Sequence, residues 1–246
     1  MENGFLSQRQ IMPAGYTVRE SRKAKHVSLR LSISGSLEVV VPPGFDPGQI
    51  PAIVQKKQGW IDRTRQRMQA QQATVGLVAG VLPEQIRLQS IAETWQVEYC
   101  PTQRLGVKAV GKTQGQLMLY GSVHDHAACQ LVLQQWIAHK AQVHLIPWLR
   151  KVSRELHLPF ESVRIRRQKT LWGSCSARKT ISLNSKLLFL SPQLVRYVFI
   201  HELCHTKHLN HSANFWQLVG QFEPSYRELD RQLRDSRFCV PPWMEL

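Results

Sequence analysis

Late in the chain stand five residues whose types and spacing could do chemistry: His201-Glu202-Leu203-Cys204-His205, an H-E-x-x-H sequence. On an α-helix, positions i and i+4 lie one above the other, about 6 Å apart along the axis. Two imidazoles so placed reach a single Zn2+ ion at about 2.0–2.1 Å. Glu202 is turned away by about 100°, close enough to take a proton from water activated at the metal without becoming a ligand. The chemistry of such a set is zinc-assisted hydrolysis, with Glu202 as general base. A third ligand is needed, and His208 and His211 are the candidates. In a continuing helix His208 would sit about 4.5 Å beyond His205 along the axis, too far from an ion held between His201 and His205. His211 fits if the chain turns back, and Asn210 could end the helix in the left-handed conformation. The ten-residue step from His201 to His211 is also the offset of H-E-x-x-H-x-x-G-x-x-H enzymes, with His208 in the glycine's place. The reading is therefore a metal held by His201, His205 and His211, with His208 at the rim.

The elements that must position these residues are legible from periodicity. Ser191-Pro192 starts a helix that Leu194, Val195, Val198, Phe199 and Leu203 carry through residue 205. Ser212 caps a further helix containing Phe215, Trp216 and Val219. Upstream, Val163 and Ile165 alternate with Arg164 and Arg166 as a strand, and Ile181 and Leu183 mark another. From Asp125, apolar residues at helical spacing predict a helix of 20 or more residues, which Pro147 should kink or end. Residues 26–33 and 37–41 alternate on either side of Ser34-Gly35-Ser36, a hairpin, and Asp46-Pro47 opens a helix to about residue 70. Residues 69–90 carry no clear pattern; short strands follow at Trp95–Tyr99, 105–110 and 116–120. No internal repeat is evident. The expected fold is α+β: a β-rich N-terminal part with one helix over residues 1–124, then a zincin-like catalytic part with the H-E-x-x-H helix over residues 125–246.

Several motifs in order carry a family resemblance. Trp172-Gly173-Ser174-Cys175-Ser176, Ile181-Ser182-Leu183-Asn184, Pro192, the H-E-x-x-H segment and Asn210-His211-Ser212 with Phe215-Trp216 are similar to the YgjP-like metallopeptidase domain family. Arg22-Lys23-Ala24-Lys25 also fits, so the resemblance spans about residues 16–238. The family in turn resembles SprT-like and WLM zincin-type peptidases. The resemblance implies zinc at His201, His205 and His211, catalysis by Glu202, and a protein or peptide substrate.

Composition bounds the alternatives. Five cysteines, irregularly spaced and without a CxxC pair, argue against a disulfide framework or a cysteine zinc knuckle. Cys175 reads as a structural thiol rather than a nucleophile, and Cys204 as a core residue. Trp172 and Asn184 either line the cleft or form a turn and a strand end. His124, His126, His139, His144 and His157 lack ligand spacing. Nothing reaches the roughly 18 apolar residues of a membrane span and the first ten residues do not read as a signal peptide, so the expected location is cytoplasmic. The net charge of +15 attracts polyanions. It admits two other functions: a metal-dependent nucleotide pyrophosphatase, or a basic protein that associates non-specifically with nucleic acid around a structural metal. The basic residues Arg150, Lys151, Arg154, Arg164, Arg166, Arg167 and Lys169 would rim the cleft in such cases, or else simply solvate a face.

Overall fold

Alternation of apolar and polar residues builds the N-terminal strands, and the sheet they form is larger than a hairpin. The computed structural model describes residues 10–12, 15–32, 35–75, 81–112 and 115–244. The chain divides into two units, Met1–Ala79 and Gly80–Leu246. In the first, β1 (Gln10–Met12), β2 (Tyr16–Glu20), β3 (Ser28–Leu31) and β4 (Leu37–Val41) lie in the order β1-β2-β4-β3. The expected hairpin is β3–β4, with Leu29 opposite Val39 and Leu31 opposite Leu37; Ile33 and Ser34 lie outside the described residues. Strand β2, which the sequence reading had not assigned, runs parallel to β4. The helical segment expected from Asp46 is two helices, α1 (Ile50–Lys56) and α2 (Gln58–Val75). Tyr16, Leu37, Val39, Val41, Ile50 and Ile61 form this unit's core.

The second unit begins with β5 (Gln85–Leu88), β6 (Glu93–Pro101), β7 (Val107–Lys112) and β8 (Gln116–Gly121), in the order β5-β6-β8-β7. This repeats the first sheet: the same strand order, and the same succession of antiparallel, parallel and antiparallel pairings. In both sheets a glycine with positive φ, Gly35 or Gly115, makes the turn into the fourth strand. In both, an aspartate, Asp46 or Asp125, caps the helical segment that follows. The repetition lies in backbone pairing. The fourth strands read Leu-Glu-Val-Val-Val and Gln-Leu-Met-Leu-Tyr-Gly, so residue identities hide it.

After β8 comes α3 (His126–Glu155), the backbone of the second unit. Its residues Cys129, Leu133, Ile137, Ala141, Leu145, Leu149 and Val152 recur every three or four positions and are fully buried, the stripe expected of a helix laid on a core. Pro147 does not end this helix, contrary to one expectation. Pro147 and Val143, whose carbonyl loses its helical donor to the proline, are both exposed, so water can satisfy that carbonyl while the opposite face stays packed. A three-stranded sheet follows, from β9 (Ser162–Arg166), β10 (Gly173–Cys175) and β11 (Thr180–Asn184), in the order β10-β11-β9. The chain then forms α4 (Pro192–Cys204), α5 (Ala213–Phe222) and α6 (Tyr226–Asp235). Helix α4 packs against α3, α5, α6 and β10. The architecture is the expected α+β one, with strands concentrated in the first half and helices in the second. Among the described residues no helix is long and apolar enough to cross a membrane, and all five cysteines are free thiols.

Candidate metal centre

Helix α4 is buried nearly all round: Leu194, Val195, Tyr197 through Ile200 and Glu202 through Cys204 are all inside. Such a helix is a rigid central rod. Ser191 caps its start, the hydroxyl accepting from the Leu194 N–H at 3.4 Å, and Pro192 follows with its preset backbone. The rod stops just where the second histidine appears. His205 is the C-cap, and the next amides fold back onto the last turn: Thr206 donates to the Leu203 carbonyl, Lys207 and His208 to that of Cys204. The left-handed cap expected at Asn210 is not used. Among the described non-glycine residues only Ala92, His157 and Lys179 have positive φ. The reversal comes from this tight turn instead, and Ser212 then starts α5 by accepting from the Phe215 N–H.

That reversal carries His211 back over α4. Its Nε2 lies 3.1 Å from His201 Nε2. The three rings of His201, His205 and His211 stand 4.8–5.1 Å apart, centre to centre, and one nitrogen from each lies within 4.8 Å of the others. Phe215, fully buried, forms a floor beneath all three: 4.4 Å from His205 and nearly parallel to it, 5.0 Å from His201 and 4.9 Å from His211. Trp216 stacks with His211 and also with Tyr226. The His205 Nδ1–H donates to the carbonyl of His208 at 2.9 Å. That bond leaves Nε2 as the unprotonated nitrogen and fixes the ring's orientation. His208 thus serves the site through its backbone, and its ring is not part of the three-histidine group.

Burial sets the charge states. It pushes His201 down to about 3, with His205 and His211 adding to the effect, and it lowers His205 as well. Neutral imidazoles are the form a metal ion requires. Glu202 is 5% exposed, and burial pushes its carboxyl up to about 8. Its Oε2 is buried without a hydrogen-bond partner among the described residues. On its other flank is Gly173 of β10.

Other residues singled out in the sequence take structural places. Asn184 is buried, and its amide donates to the carbonyls of Gln168 and Leu171, both at 2.8 Å, while its backbone N–H donates to the carbonyl of Trp172. It therefore fastens the segment that leads into β10. Burial, aided by Glu202, pushes the half-buried Cys175 thiol up to about 11, the state of an unreactive thiol. Cys204 is buried in the core and is pushed up to about 12. Arg164 and Arg166 are exposed on β9, whereas the Arg167 guanidinium donates to Gln134 at 2.6 Å. Sequence reasoning gave no site role to Phe215, Tyr226 or Gly173. Gly173 and Phe215 stood in the sequence only as members of the family-like motifs, and Tyr226 left no signal.

The pattern of the YgjP-like metallopeptidase domain matches residues 25–236. No curated protein matches the chain. Among solved structures, the metallopeptidase zymogen abylysin of Pyrococcus abyssi is 30% identical over 35% of this chain and 87% of its own, with a TM-score of 0.32. The metallopeptidase zymogen jannalysin of Methanocaldococcus jannaschii is 21% identical over 36% of this chain and 91% of its own, also with a TM-score of 0.32. The match over residues 25–236 takes in all three histidines and Glu202, and by it the chain belongs to the YgjP-like metallopeptidase domain family.

Proposed function

We propose that the protein is a zinc-dependent peptidase in which His201, His205 and His211 hold the metal and Glu202 is the general base. The observation that carries this reading is the meeting of three imidazole nitrogens, two of them from the helix that also bears Glu202, a buried carboxyl whose Oε2 has no hydrogen-bond partner among the described residues. Three imidazoles are donors that suit zinc, and one pair already has the spacing: two nitrogens sharing a tetrahedral ion at about 2.0–2.1 Å would lie about 3.3 Å apart, close to the 3.1 Å between His201 and His211. Three neutral imidazoles also leave a coordination position open, the pattern of a catalytic rather than a structural site. Bound there, zinc supplies Lewis-acid polarisation and makes water acidic enough to lose a proton near neutral pH. The work of the chain's own residues is to move that proton. Glu202 accepts it from the attacking water and delivers it to the amide nitrogen that leaves. Burial holds the carboxyl high, and the positive charge of a bound metal would favour its ionised form, the one that accepts a proton. The family match names a metallopeptidase domain, and neither the nucleotide nor the nucleic-acid reading gains support from it.

The test is Glu202→Gln, whose amide keeps the shape but accepts no proton. With zinc-loaded protein and a peptide library read by mass spectrometry, the variant should keep its metal and fold and lose nearly all cleavage. A variant that still cleaves at a substantial rate removes Glu202 from this role. Nucleotides hydrolysed by the wild type in place of peptides would overturn the choice of substrate.

A further inference from the structure

Strand interiors disfavour glycine, which has nothing to pack and more freedom to lose than other residues. Gly173 nevertheless opens β10, paired with Leu183 of β11. Its backbone is not in the left-handed region, so the chain path itself does not require glycine there. What requires it is Glu202. A Cβ at position 173 would stand 2.6 Å from Glu202 Oε1, 2.7 Å from Cγ and 2.9 Å from Cδ, where ordinary contact begins at 3.4 Å. The overlap covers three atoms of the side chain, so a swing of the carboxylate tip does not relieve it.

Neither partner is free to retreat. Glu202 sits on the buried rod α4, which packs directly against β10. The segment entering β10 is tied down by Asn184, through the carbonyls of Gln168, Leu171 and Trp172.

We propose that Gly173 is a positioning residue for the reaction: its missing side chain is the slot that holds the Glu202 carboxylate where it must stand to act as base. The inference rests on the reading of Glu202 as general base given above. A displacement on the order of 1 Å at a reacting group can lower turnover about 100-fold, so the slot bears on kcat rather than on binding.

The experiment makes Gly173→Ala in the wild type and in a Glu202→Ala background, with Glu202→Gln assayed alongside. In the wild type, Gly173→Ala should lower kcat about 100-fold, leave KM and zinc content near their starting values, and lower Tm by several degrees. In the Glu202→Ala background the clash is gone, so the same change should leave Tm unchanged or raise it, as alanine normally does in place of glycine where φ permits. If Gly173→Ala alone fails to fold, restoration of folding by Glu202→Ala supports the slot, and failure to restore it overturns the proposal. An equal fall in Tm in both backgrounds, or an unchanged kcat in Gly173→Ala, also overturns it. Should Glu202→Gln retain turnover, the reading of the base falls and takes the catalytic role of the slot with it, even where the Tm values still couple the two residues.

Discussion

His201 and Glu202 make opposite demands on pH in the metal-free protein. Folding holds His201 down to about 3 from an ordinary 6.5, so below pH 6.5 the unfolded chain takes up a proton that the folded chain refuses, and stability falls as pH drops toward 3. Folding holds Glu202 up at about 8 from an ordinary 4.5, so its contribution is complete below pH 4.5 and is lost as pH rises toward 8. Between pH 4.5 and 6.5 the two effects oppose each other. Urea titrations of chelator-treated protein should show wild-type stability declining from pH 6.5 to 8, and that decline should be smaller in Glu202→Gln. Equal slopes in the two proteins would mean that Glu202 is not held protonated. The ligand assignment is tested separately. His211→Ala should lose most bound zinc, whereas His208→Ala should lose little, since its backbone carbonyl still receives the His205 Nδ1–H. Elemental analysis decides between them, and equal loss would overturn the assignment.

Two helices show how the end or the survival of an element shapes the site. Helix α4 stops at Cys204 and the tight turn beyond it brings His211 back to His201; a helix one turn longer would point the chain away. Helix α3 survives Pro147 because its buried stripe holds it on both sides of the proline. Pro147→Ala restores a helical hydrogen bond and removes the ring's clash with the Val143 carbonyl, together worth up to about 3 kcal/mol, less the roughly 1 kcal/mol by which proline restrains the unfolded chain. The expected gain is about 1–2 kcal/mol, read as a higher Tm. An unchanged or lower Tm would show that a bend at Pro147 is needed for Leu145 and Leu149 to pack.

At the scale of the whole molecule the notable property is charge. The chain carries +15, and Arg164 and Arg166 stand exposed on one strand, while Arg167 is engaged by Gln134. A positive field concentrates anionic substrates, and its reach shrinks from about 30 Å at 0.01 M salt to about 3 Å at 1 M. Acidic peptides should therefore be cleaved with a higher kcat/KM than neutral ones of equal length at low salt, and the preference should vanish as salt rises. Changing Arg164 and Arg166 together to Gln should reduce that preference through KM and leave kcat alone. A preference indifferent to salt would leave the charge without a role in selecting substrate.

What the sequence alone determined is what depends on local geometry. The H-E-x-x-H spacing announced metal chemistry because the i, i+4 relation follows from the helix itself. The caps at Ser191, Ser212 and Asp46, the stripe of α3 and the β3–β4 hairpin were readable for the same reason: each rests on residues near one another in the chain. Tertiary structure decided the rest. The parallel pairings β2–β4 and β6–β8 join strands separated by others, and no local signal encodes them. Strand β10 is three residues long and lacks apolar alternation; its place is set by β11 and α4. The return of His211, the Phe215 floor under three histidines and the fit of Glu202 against Gly173 all join residues from separate elements. Contacts of that kind exist only once the core has packed, because the free energy that holds them comes from burial across elements rather than from any one segment.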